Sequence, residues 1–161
     1  MTKQNDPALD LIAQLEAAAD RLSAYQDDLA QEAYVPSEQR TVGQLIDHIA
    51  WMWEAESAVF QAIADGADGS GWTQEWLDTE NALQARISAT RTPAETRNRF
   101  ESGKATAIAF IAGLTPDQFE RTGTHMPGEP PRPIRGWIEV CLIAHPLDHL
   151  PAIESAVSRS S

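Results

Sequence analysis

The sequence predicts an all-α protein, a four-helix bundle with short extra helices in its connections. Three observations carry that prediction. Apolar residues recur at steps of three and four through four long stretches, the period of a helix that buries one face. Helix-start signals, one Asp-Pro pair and three Thr-x-x-Gln/Glu capping boxes, stand where helices should begin. No segment shows the alternation expected of a half-buried strand. With 161 residues the chain is read as one domain, 1–161, large enough for a sizeable core.

Asp6-Pro7 opens the first helix, with Asp6 as N-cap and proline in the first turn. Leu11, Leu15, Ala18, Leu22 and Leu29 mark its inner face. It is expected to end before Val35-Pro36, because the residue before proline avoids the α region. Thr41 and Gln44 form a capping box for the second helix, which should run to about Asp65. Its apolar face is Leu45, Ile49, Met52, Val59 and Ile63, and His48 lies on that face. Gly66, Gly69 and Gly71 then make a loop. A short helix is expected within 74–89, with Trp72, Trp76 and Leu77 covering one end of the core. Thr92 and Glu95 start the third long helix, Pro93 to about Gly113, with Phe100, Ala107, Ile111 and Leu114 inward. Thr115 and Gln118 repeat the signal for a short helix near 116–121. Gly123 to Pro133, with two glycines and four prolines, is a loop. The last helix starts near Ile134 and runs to about Val157. Pro146 inside it lacks a backbone donor and opposes the carbonyl of Leu142, which predicts a kink.

Composition narrows the function classes. The formal net charge of −12 argues against a nucleic-acid surface, which needs a Lys/Arg footprint, and equally against an anionic membrane surface. One cysteine, Cys141, excludes an internal disulfide framework and fits a reducing compartment. The first ten residues lack the apolar core of a signal peptide, and no apolar run would span a bilayer. The expectation is a soluble cytoplasmic protein.

The stretch that suggests chemistry is Trp137 to Leu150. His145 and His149 stand four apart, on one face of a helix and one turn from each other, where two imidazoles can grip one ion from the same side. His48, inward on another helix, supplies a third imidazole. Three neutral imidazoles would leave coordination positions open, the mark of a catalytic rather than a structural metal site. The plain alternative is three core or half-exposed histidines satisfied by hydrogen bonds. Cys141, one turn before His145, is either a further ligand or reactive thiol, or a small buried hydrophobe, and residue type favours the last. Glu56 and Asp148 are candidates to hold the histidines' other ring nitrogens, or else solvated charges. His125 in the Gly/Pro loop either leans over a pocket or is simply exposed. Trp51, Trp53 and Trp137 line a pocket or fill the core.

The segments T-V-G-Q-L-I-D-H-I-A in the second helix and L-I-A-H-P-L-D-H-L in the last, with T-P-A-E between them, carry a family resemblance. In their order and wide separation they resemble the DinB-like/YfiT-like superfamily of metalloenzymes, over about Leu9 to Ala156. The resemblance implies a DinB/YfiT-like four-helix bundle, often homodimeric, with a divalent ion held by three histidines. By position these are His48, His145 and His149. Zn or Ni is the ion implied first. Characterised members include S-transferases and isomerases that use a low-molecular-weight thiol such as mycothiol, bacillithiol or glutathione. The function so implied is activation of a thiol or water by the metal for attack on a small electrophile, as in a thiol S-transferase or a hydrolase. The alternative is a metal- or small-ligand-binding stress-response protein without turnover.

Overall fold

Capping chemistry sets where the helices of this computed structural model begin, and the structure describes residues 6–160. The Asp6 carboxylate accepts from Ala8 N at 3.0 Å and starts α1 (Pro7–Ser23). The first helix ends there, short of the expected Val35 boundary. Asp27 takes a β-region backbone and accepts from Ala30 N at 2.9 Å, which starts a separate short helix, α2 (Asp28–Glu32). Leu29 therefore leaves the inner stripe and is 67% exposed. Tyr34–Val35 (β1) pairs antiparallel with Arg40–Thr41 (β2). Sequence periodicity gave no sign of this ladder, since two-residue strands are too short for alternation to register.

All three Thr-led capping boxes form. At the head of α3 (Val42–Ala64), Gln44 N donates to Thr41 Oγ1 at 3.2 Å and Thr41 N donates to Gln44 Oε1 at 2.9 Å. Thr92 with Glu95 starts α5 (Pro93–Gly113), and Thr115 with Gln118 starts α6 (Pro116–Phe119). Between α3 and α5 lies α4 (Gln74–Ser88), which buries only Ser88. A second two-residue ladder, Thr122–Gly123 (β3) with Arg132–Pro133 (β4), closes the loop before the last helix.

The bundle's long elements are α1, α3, α5 and that last helix, and its most extensive contact is α3 against α5. Gly103 permits it: a Cβ there would lie 2.6 Å from the carbonyl oxygen of Ala50 and 2.9 Å from its Cα. Trp53, Phe100, Phe60 and Trp137 are fully buried in one apolar cluster with leucines and isoleucines from all four elements.

The last helix is interrupted. It runs as α7 (Ile134–Trp137), a π-helical stretch Ile138–Ala144, α8 (His145–Asp148), a turn at His149, and α9 (Leu150–Ser160). Where the sequence predicts a kink at Pro146, the structure has this widened stretch just before the proline. The indole Nε1 of Trp53 donates to the Leu142 carbonyl at 2.8 Å. That is the carbonyl to which Pro146, four residues on, has no N–H to offer. Pro151 falls in the first turn of α9, where proline is tolerated.

Candidate metal centre

His48 is carried by the second turn of α3, on the face that packs into the bundle, and is 9% exposed. His145 opens α8 and His149 closes it, both half-buried. The fold brings the three rings together. Ring centroids lie 6.0 Å apart for His48 and His145, 5.7 Å for His48 and His149, and 5.0 Å for His145 and His149. One ring nitrogen from each falls within 4.8 Å of the other two. The His145 and His149 Nε2 atoms are 3.3 Å apart.

The surroundings hold these rings neutral or fix their tautomers. Burial above all, then the Arg40 guanidinium and the other two rings, pushes His48 down to about 3. Burial, then His149, also pushes His145 below its ordinary value, against opposing pulls from Glu56, Asp148 and Glu38. Neutral imidazole is the form that ligates a metal. His149 Nδ1 meets Glu38 Oε1 at 3.2 Å. A carboxylate there makes Nδ1 the donor, so the network assigns the lone pair to Nε2, the atom facing His145. His48 Nδ1 is buried and has no hydrogen-bond partner among the described residues. Two close nitrogens and an orphaned third are the pattern that a shared cation would satisfy. Just beside His48 on α3, Asp47 is fully buried against the Arg91 guanidinium, Nε to Oδ1 2.8 Å, with Arg99 Nε at 3.9 Å. Burial outweighs both cations and lifts this carboxyl above the usual range.

The other candidates divide. Asp148 is exposed, as a solvated charge would be. Trp53 and Trp137 are core, and Trp51 is buried 6.1 Å from His48, ring to ring. Glu56 is not a solvated charge: it is 1% exposed. Nor is His125 exposed: it is 7% exposed, boxed by Phe60, Trp72 and Trp137. These two residues meet Cys141, and not the three histidines, in a second cluster whose ligand atoms also lie within 4.8 Å of one another. Cys141 is thus not a further ligand of the three-histidine cluster. Glu38 is the residue that sequence reasoning missed. It lies in the short β1–β2 connection, and its partner His149 is 111 positions away, so no local pattern marks it. Arg40 was likewise unmarked. A cleft of about 1010 Å³ is lined by Asp6, Leu11, Asp117, Glu120, Arg135 and neighbours, and touches none of the three histidines.

A model of the DinB superfamily matches residues 10–153. The chain belongs to the DinB superfamily. Among solved structures it is similar to YfiT from Bacillus subtilis, described as a probable metal-dependent hydrolase with an unusual four-helix bundle topology. Identity is 16%, the TM-score is 0.74, and the match covers 99% of this chain and 89% of that one. At that identity the likeness establishes the shared fold. No curated protein matches significantly. Among the described residues no helix is long and apolar enough to cross a membrane.

Proposed function

We propose that this DinB-superfamily protein is a metal-dependent enzyme in which His48, His145 and His149 jointly hold one divalent ion. The observation that carries the reading is the 3.3 Å separation of the His145 and His149 Nε2 atoms with His48 alongside. Two imidazoles bonded to one Zn-like ion at about 2.0–2.1 Å have nitrogens about 3–3.5 Å apart. When bound, the ion supplies Lewis acidity and lowers the pKa of a water or thiol. The chain's own groups prepare the site. Glu38 fixes the His149 tautomer, and burial keeps His48 unprotonated. Because all three donors are neutral, they leave the ion's charge uncompensated, which favours an anionic nucleophile or substrate group. Arg40 adds a further positive charge on the His48 side.

The substrate is then a small electrophile, attacked by water in a hydrolysis or by an external low-molecular-weight thiol in an S-transfer. The description of YfiT favours water. The exposed Trp76, Leu83 and Ile87 on α4 favour a homodimer, since apolar surface of this kind marks interfaces. Light scattering that gives a monomer at micromolar concentration rejects the dimer. For the site, elemental analysis of untagged protein should find about one ion bound through the histidines, lost from His48→Ala, His145→Ala and His149→Ala alike. Full metal retention at that site by His48→Ala would refute it. Ester or amide hydrolysis without added thiol, abolished by chelation and restored by Zn²⁺ or Ni²⁺, separates the hydrolase from the S-transferase.

A further inference from the structure

We propose that Glu56, His125 and Cys141 form a second divalent-metal site, made of one carboxylate, one imidazole and one thiolate. It lies one tier further along the interface between α3 and the last helix than the three histidines. Glu56 follows His48 by eight residues on α3, about 12 Å of helix. Cys141 precedes His145 in the π-helical stretch. The two clusters share no ligand residue, so they count as two sites.

Three features favour metal over a plain polar cluster. First, the donors come from three distant parts of the chain, all are buried, and their ligand atoms converge within 4.8 Å. Second, hydrogen bonds satisfy the cluster only in part: the Cys141 thiol donates to the Glu56 carboxylate, and little else is paired. His125 Nε2 and Glu56 Oε1 approach to 3.4 Å, yet His125 Nε2 and Glu56 Oε2 have no hydrogen-bond partner among the described residues. Native structures rarely orphan buried polar atoms of this kind, and an unplaced ion is one of the standard reasons. Third, charge balances. A thiolate and a carboxylate neutralise a dication, and imidazole completes a donor set suited to a borderline-soft ion such as Zn²⁺ or Co²⁺. With no ion, a thiol here stays protonated, since burial and the adjacent Glu56 both push Cys141 upward. On binding, the Cys141 Sγ–H bond breaks, its proton goes to water, and Sγ bonds the ion. The rings of Phe60, Trp72 and Trp137 hold His125 in place. Ser70 Oγ, which donates to the His125 carbonyl, holds its backbone.

The test is Co²⁺ titration of full-length, metal-free protein followed by absorption. A thiolate-to-cobalt charge-transfer band should appear and saturate with one ion per chain at that site. The band should vanish in Cys141→Ser with ion still bound by the histidines. It should persist in the His48→Ala, His149→Ala double variant, which removes the first site. His125→Ala should weaken the band's apparent affinity more than the roughly 10–100-fold that an outer partner is worth. A wild-type protein saturated with Co²⁺ that shows no thiolate band overturns the proposal without reference to any variant. So does a band that disappears when only the three-histidine site is removed, in a variant whose circular dichroism shows it folded.

Discussion

Trp53→Phe tests how the helix that carries His145 and His149 is held. Trp53 is fully buried, and its Nε1–H is bonded to Leu142 O, four residues before Pro146. Phenylalanine keeps an aromatic ring against Phe100 but has no donor. Leaving the Leu142 carbonyl short of this partner costs about 1–3 kcal/mol. The lost part of the indole leaves a void worth roughly 1–2 kcal/mol more. Denaturant unfolding followed by circular dichroism should therefore give a loss of about 2–5 kcal/mol. The decisive measurement is the cycle with Pro146→Ala. Alanine at 146 restores a backbone N–H that can reach Leu142 in an α register, so the hydrogen-bond share of the penalty should shrink. A coupling of about 1–2 kcal/mol is expected between the two substitutions. Effects that add to within about 0.5 kcal/mol would refute the idea that the indole replaces the proline's missing donor.

Other expectations are as specific. Gly103→Ala gains about 1 kcal/mol of helix propensity but sets a Cβ 2.6 Å from the Ala50 carbonyl oxygen, so a net loss of about 2 kcal/mol should appear in urea unfolding. Unchanged or raised stability would mean α3 and α5 can separate freely. Glu38→Gln should lower metal affinity at the three-histidine site about 10–100-fold by calorimetry, with the fold intact, because Gln can no longer fix the His149 tautomer as a carboxylate does. Equal affinities would remove Glu38 from the site. In metal-free protein, His48 has a folded pKa of about 3 against 6.5 in the unfolded chain. Its burial contributes stability fully present above pH 6.5 and lost as pH falls from there towards 3, at about 1.4 kcal/mol per pH unit for one proton. His48→Gln should flatten that acid slope, and identical slopes for the two proteins would refute it.

What could be read from the chain was what is local. Asp6 and the three Thr-led boxes cap helices as their spacing implies, because a cap needs only residues three positions apart. His48 was legible because helical period alone puts it beside Leu45 and Met52. Its meeting with His145 and His149 needed the motif order as well. What stayed hidden depends on partners far along the chain. Glu38 acquires a role only when the β1–β2 connection reaches His149. Glu56 and His125 look like ordinary surface residues until α3, the β3–β4 loop and the last helix close around them. The break between α1 and α2 was missed for the opposite reason: Asp27 is a local cap, but Leu22 and Leu29, seven apart, kept the heptad stripe apparently unbroken.

The π-helical stretch Ile138–Ala144 also sets which kinds of sequence change the protein can survive. Such a stretch amounts to one residue inserted into an α-helix. Because the wide turn already holds that extra residue, deleting one there would let the backbone relax to ordinary helix with its two halves still roughly in phase. A further residue added in ordinary helical geometry would instead turn all that follows by about 100° relative to all that precedes. His145 and His149 would then swing away from His48, while Trp137 stayed seated against Phe60. The phase angle between the two halves of the helix, and not only the identity of its histidines, is therefore written in the length of this segment. Lineages should lose one residue from it far more readily than they gain one.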